Sequence, residues 1–233
     1  MADLNQIGWD PLETGKYAEA LKPKITLDEI LEQIDPQRYT KQQLRRLTKG
    51  RDIFRLIMRA QPRNERERQI LGLLTSLYAE SQGGVTLYRP LDYIGRELEM
   101  KHGMLTVVRL PGQPFAAGKF AGEGMRDGAI IIEGDADEGV GHSMQGGIIQ
   151  VEGTAASIGP TLGGTVLARA VFKPIDPSAN TGVVCIGDFN SPEFQLVYQQ
   201  RRFTTSARAG HVDALMEEIK QFLDEELRRR GKS

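Results

Sequence analysis

Apolar positions along the chain change period twice. From residue 25 to about 102 they recur at helical spacing. Thr40-Lys41-Gln42-Gln43 has the form of a capping box, and Gly50 is placed to close that helix. After Asp52, the residues Ile53, Phe54, Ile57 and Met58 share one helical face. Asn64 is placed to cap a third helix, with Glu67 three residues on and Ile70, Leu73, Leu74, Leu77 and Tyr78 at i, i+3, i+4, i+7 and i+8. Gly83-Gly84 ends it, and a shorter helix is expected over Leu91 to Met100, entered after Pro90. Residues 1–24 show no period and read as an extended arm. At the other end Val212, Leu215, Met216, Ile219, Phe222, Leu223 and Leu227 form an amphipathic stripe within a C-terminal segment, 191–233. Acidic residues come early in that stripe and Arg228, Arg229 and Arg230 late, an order that suits the helix dipole.

Between these flanks, over 103–190, the pattern is short β-rich runs set off by glycine, and it repeats. Residues 122–134 read GEGMRDGAIIIEG and residues 141–153 read GHSMQGGIIQVEG. Gly122/Gly141, Met125/Met144, Gly128/Gly147, Ile130/Ile149, Glu133/Glu152 and Gly134/Gly153 are identical at an offset of 19. A looser copy follows through Gly159, Leu162 and Gly164, another begins at Gly182, and Gly103 to Val108 reads as an earlier one with a longer excursion after it. A fixed period near twenty residues means stacked units, each too small to bury its own apolar face. The connections are too long for hairpins and leave no room for a helix between Gly128 and Gly164. The expected fold is therefore α+β: a short right-handed parallel β-helix of four to five rungs flanked by helical segments. Met125, Met144 and Leu162 are expected in one internal ladder, and Ile130, Ile149 and Val166 in another.

The 26 glycines are about 11% of the chain, against roughly 7% in an average protein. Net charge is −1, with 26% charged and 39% apolar residues, which excludes a disordered acidic or basic tail. The balance conceals a basic run: Arg38 to Arg68 holds 11 basic and 3 acidic residues. It invites a nucleic-acid reading, but carries no recognition motif and no interleaved aromatics, so a solvated face or one meeting an acidic partner is the plainer reading. The single cysteine, Cys185, precludes an intrachain disulfide and any Cys cluster, and fits a reducing compartment. With no membrane-length apolar run and no basic-then-apolar leader at Met1 to Pro11, a cytoplasmic protein is expected.

The pattern G-x-x-M-x-G-G-x-I-x-V-x-G over Gly141 to Gly153 resembles the GXGXG β-helix domain. That domain ends the glutamate synthase large subunit. It also forms the C subunit of formylmethanofuran dehydrogenase and of the related bacterial formyltransferase/hydrolase complex. The resemblance covers about residues 103–190. It implies a structural element that braces catalytic subunits, so no catalytic, cofactor or metal residue is carried over to this chain. His142 stands where the pattern usually has a small residue.

Reactive groups are sparse in the repeats. His102, His142 and His211 have no metal-ligand spacing. Gly141-His142-Ser143-Met144-Gln145 lacks the second glycine of a nucleophile elbow, and Gly139-Val140-Gly141 is followed by a strand where a phosphate loop needs a helix. The acidic turn Glu133, Asp135, Asp137 and Glu138 lacks the full calcium-loop pattern. The leading expectation is a non-catalytic assembly subunit that docks onto the catalytic protein subunit of a cytoplasmic complex, with no cofactor of its own, as the resemblance to one-carbon enzymes implies. Three alternatives are a glutamate synthase-like oxidoreductase component, a stand-alone enzyme with a site between the helical and β-helical parts using Arg109, Arg126, Asp127 and His142, and nucleic-acid binding through the basic 38–68 helices.

Overall fold

The computed structural model describes residues 25–35, 38–187, 193–198 and 201–206, with the backbone alone at 101–103 and in the last two stretches. The expected arm at 1–24, His211 and the C-terminal amphipathic helix lie outside the described residues.

The chain divides into two compact units, Met1–Gln61 and Pro62–Ser233. Among the described residues the first carries three short helices: α1 (Leu27–Leu31), α2 (Lys41–Leu47) and α3 (Ile53–Arg59). Each starts on a side-chain cap. Thr26 and Thr40 make reciprocal capping boxes with Glu29 and Gln43, and Asp52 accepts the Arg55 amide. Gly50 sits past the end of α2 at φ +70°.

The second unit begins with α4 (Glu65–Gln82), capped by Asn64 and closed by Gly83 in the left-handed region. Eight strands follow and pair in sequence order. They are β1 (Val85–Leu87), β2 (Glu99–Val108), β3 (Asp127–Glu133), β4 (Ile148–Ala155), β5 (Thr165–Val171), β6 (Val183–Ile186), β7 (Glu193–Tyr198) and β8 (Arg201–Ser206). Every neighbouring pair from β1 to β6 is parallel, so each turn of chain lays its strand on the one before: a short parallel β-helix. The stack ends in an antiparallel hairpin, with β7 on β6 and β8 on β7.

Inside the coil, equivalent residues stand in columns. Leu105, Ile130, Ile149, Val166 and Val184 are in register and fully buried, as expected for the three that the repeat marked. A second buried column runs Leu87, Val107, Ile132, Val151 and Ala168. Along a third wall Ala117, Ala136 and Ala155 bridge in parallel and are also buried. Apolar side chains piled this way form a continuous core that a single rung could not make.

The methionine ladder differs from expectation at its third member. Met125 and Met144 are fully buried, but Leu162 is 61% exposed. The backbone gives the reason. The Arg126 and Asp127 amides donate to the Leu98 carbonyl, those of Gln145 and Gly146 to Met125, those of Leu162 and Gly163 to Met144, and that of Thr181 to Thr161. The column is therefore Leu98, Met125, Met144, Thr161 and Asn180. The rung from Ile149 to Val166 advances 17 residues where the previous one advances 19, and the shorter turn puts Thr161 inside and Leu162 outside. Thr161 and Asn180 bring polar groups into the core and satisfy each other: the Thr161 amide and hydroxyl donate to Asn180 Oδ1 at 3.1 and 3.0 Å.

The expected helix over Leu91–Met100 is absent. Turns occupy 92–97, and β2 begins at Glu99. Tyr93, Gly95 and Glu97 alternate into the left-handed region at φ +60°, +71° and +53°, which no α-helix accommodates. The parallel stack accordingly opens at Val85, ahead of the repeat's first visible copy.

Candidate functional site

The left-handed alternation at 93, 95 and 97 recurs at Phe120, Gly122 and Gly124, and again at Gly139, Gly141 and Ser143. Three consecutive rungs thus turn the same corner in the same way. Their amides point alternately to the two neighbouring rungs. Gly122 N–H donates to Ile94 O at 2.8 Å and Gly141 N–H to Ala121 O at 2.9 Å, while Glu97 N–H donates to Glu123 O and Gly124 N–H to His142 O. The side chains between them, Ile94, Ala121 and Val140, are buried.

At this corner aromatic and charged side chains meet. Tyr93 stacks on Phe120 with ring centroids 5.1 Å apart, and His142 meets Phe120 edge-on at 5.7 Å. The Tyr93 hydroxyl donates to Glu65 of α4. Burial, then that bond, pushes the Tyr93 phenol up to about 12. Arg96 lies over the Tyr93 ring and pairs with Glu123 at 2.8 Å. Burial raises the Glu123 carboxyl above its ordinary value, against the opposing pull of Arg96 and His142. Arg96, Glu123 and His142 are stacked equivalents, each one residue past a corner glycine at 95, 122 or 141.

A second charged column runs beside the first. Arg68 of α4 lies 3.7 Å from Asp92, Asp92 Oδ1 accepts the Lys119 amide, and Lys119 Nζ is 3.3 Å from Glu138, which also binds Lys173. The bond from Lys173 and the one from Lys119 hold the Glu138 carboxyl below the usual range. Asp135 accepts the Thr154 amide at 2.7 Å, and the Asp137 carboxylate takes the Glu138 amide. The acidic turn therefore serves the coil's own backbone and lysines. Among the described residues no three His, Cys, Asp or Glu side chains are grouped as a metal ion requires.

α4 closes the first rung. Thr75 Oγ1 accepts the Gly95 amide at 2.8 Å, Ser76 Oγ donates to the Arg96 carbonyl at 2.6 Å, and Glu80 accepts the Glu99 amide at 2.9 Å. A parallel stack leaves unpaired backbone groups on its end rung, and these three side chains meet them. Gly72 allows the approach: a Cβ there would stand 2.3 Å from the Tyr93 carbonyl oxygen.

The four polar candidates read from the sequence are committed to different partners. Arg109 pairs with Asp135 at 3.4 Å and Arg126 with Glu99 at 3.8 Å, both in the open. Asp127 accepts the Gly128 amide, and His142 belongs to the aromatic corner. Tyr93, Arg96, Phe120 and Glu123 were missed by the sequence reading. Aligning Tyr-Ile-Gly-Arg-Glu (93–97) with Phe-Ala-Gly-Glu-Gly (120–124) and Gly-Val-Gly-His-Ser (139–143) on the central glycine is the signal that finds them.

Among the described residues no helix is long and apolar enough to cross a membrane. No protein-family model matches the chain, nor does any curated protein or solved structure.

Proposed function

We propose that this chain is a non-catalytic structural subunit that docks onto a catalytic protein in a cytoplasmic complex. Its nearest likeness is the C subunit of a formylmethanofuran dehydrogenase or formyltransferase/hydrolase assembly of one-carbon metabolism. The left-handed alternation at 93–97, 120–124 and 139–143, with glycine at five of its nine positive-φ positions, supports that resemblance. The observation that carries the docking reading is how the polar groups are used. Glu123, Asp135, Glu138, Lys119 and Arg109 are spent on neighbouring rungs, so they brace the coil. A glutamate synthase-like oxidoreductase component is the next nearest role by the same resemblance.

Purification of the chain at native abundance from its own cells tests this. A second chain held in stoichiometric amount through high salt, with dehydrogenase or hydrolase turnover residing in that chain, is the expected result. A lone monomer that turns over a substrate by itself would overturn it.

One observation favours a second reading. Over residues 38–61 Arg45, Arg46, Lys49, Arg51 and Arg59 are exposed, while the acidic residue of that stretch, Asp52, is buried and used as a cap. Such a face attracts polyanions. Binding to RNA or DNA that fades steeply with salt and is lost in R45E/R46E would move the assignment there.

A further inference from the structure

Side chains alternate along a strand, so the buried inner columns also fix which positions face outward. Leu167 stands between the inward Val166 and Ala168 of β5, and Cys185 follows the inward Val184 of β6. Both therefore lie on the outside of the coil, and the register pairs them. Gln150 of β4, Ile131 of β3 and Thr106 of β2 continue the same outer row. Leu167 is 0% exposed and Cys185 1%, and Gln150 and Thr106 are buried too. Burial pushes the Cys185 thiol up to about 12. A leucine on the outer face of a sheet loses all its exposure only where other atoms pack onto it. These residues are buried in the chain by itself, so whatever covers them is part of this chain.

Among the described elements α4 packs on the coil at β1 and β2, whereas the outer row is most deeply buried at β5 and β6. Residues 188–192 and 199–200 are short links between strands that neighbour each other in the sheet. Residues 1–24 carry no apolar period, and Met1–Gln61 is a compact unit of its own. The remaining stretch, 207–233, belongs to the same compact unit as the coil and follows β8, two strands from β6. Its apolar positions 212, 215, 216, 219, 222, 223 and 227 share one helical face. A helix over 212–227 is about 24 Å long. From β2 to β6 the sheet measures about 19 Å across, so the two lengths match. A helix entering from the β8 side carries Arg228, Arg229 and Arg230 toward the rim where Glu133 and Glu152 are exposed on neighbouring strands.

We propose that the outer face of β4, β5 and β6 is the docking surface for the chain's own C-terminal segment, whose apolar stripe over 212–227 lies across it as a helix and seals Leu167 and Cys185 from water. The inference is independent of the docking reading above, because it rests on burial within one chain. It gives the coil two covers that act differently. α4 satisfies backbone groups on the first rung, and the C-terminal helix buries side chains on the outer face of the last ones. It also keeps the chain's one thiol out of reach of reagents while the cover is in place.

The test reads Cys185 in the full-length chain by its rate of alkylation with N-ethylmaleimide, followed by mass spectrometry. The wild type is expected to react about a hundredfold or more slower than the urea-unfolded chain. The full-length double variant Ile219→Asp/Phe222→Asp is expected to keep the β-type circular dichroism and to react about tenfold or more faster than the wild type. Gln221→Ala, on the opposite helical face, is expected to leave the rate unchanged. A wild-type thiol that reacts as fast as the unfolded chain overturns the covered face. A folded double variant whose thiol stays as protected as the wild type overturns the C-terminal segment as the cover and assigns it to residues 1–61. If the double variant does not fold, the methyl-labelled wild type decides. Nuclear Overhauser contacts from the Leu167 methyls to those of Met216, Ile219 or Leu223 are expected, and their absence overturns the proposal.

Discussion

At the scale of the residue, the coil depends on places where a side chain cannot be. Gly147 has φ +82°, and a Cβ there would lie 2.6 Å from the Met125 methyl and 2.8 Å from the Gly128 carbonyl oxygen. The methyl is able to swing aside, but the backbone oxygen is not. Gly147→Val is expected to cost about 3 kcal/mol or more and to yield insoluble or molten protein, measured by thermal melting. His142→Ala, which removes one edge-on contact, is expected to cost under about 1 kcal/mol. Tyr93 sets a pH dependence of stability. Its folded phenol titrates at about 12, against an ordinary value of 10.0, so the folded state holds the proton more tightly. The resulting stabilisation is whole below pH 10 and is lost as pH rises from 10 toward 12. Urea melts across that range should show the decline, and Tyr93→Phe should flatten it.

The elements differ in how plainly the sequence announces them. α2 and α4 are legible because the caps that the sequence marks, Thr40 and Asn64, are the residues whose side chains do accept the amide three residues on, and α3 because Ile53, Phe54, Ile57 and Met58 keep helical spacing after Asp52. The Ile130, Ile149 and Val166 column is legible because strand spacing changes little while the side chains stay alike. The first rung is hidden because its left-handed corners are built from Tyr93 and Glu97 in place of glycine. The slip at Leu162 has the same root: the column's filler turns from methionine to threonine and asparagine just where the rung shortens. The cap is silent in sequence, since Thr75 and Ser76 sit inside a helical pattern with nothing to mark their partners. Thr75→Val keeps the volume but leaves the Gly95 amide buried without an acceptor. It is expected to cost about 1–3 kcal/mol by urea denaturation, against under about 0.5 kcal/mol for the exposed Ser81→Ala.

Across the whole molecule, the coil and its cap lie in one compact unit, Pro62–Ser233. A fragment beginning at Pro62 is expected to melt cooperatively with the β-type circular dichroism of the full chain, and loss of that cooperativity would make residues 1–61 part of the coil's stability. The candidate site was legible only in part. His142 could be picked out as an intruder in the repeat, but the aromatic and charged corner around it is assembled from three rungs and α4.

Superposed rungs are the premise of all of this, and methionine methyls report on them directly. With methyl-labelled methionine, nuclear Overhauser contacts are predicted from Met125 Cε to the Gly147 α-protons and from Met144 Cε to those of Gly164, since each methyl lies 2.6 Å from where a Cβ on the next rung's glycine would stand. Methyl signals at solvent-exposed shifts, with neither contact, would contradict the coil.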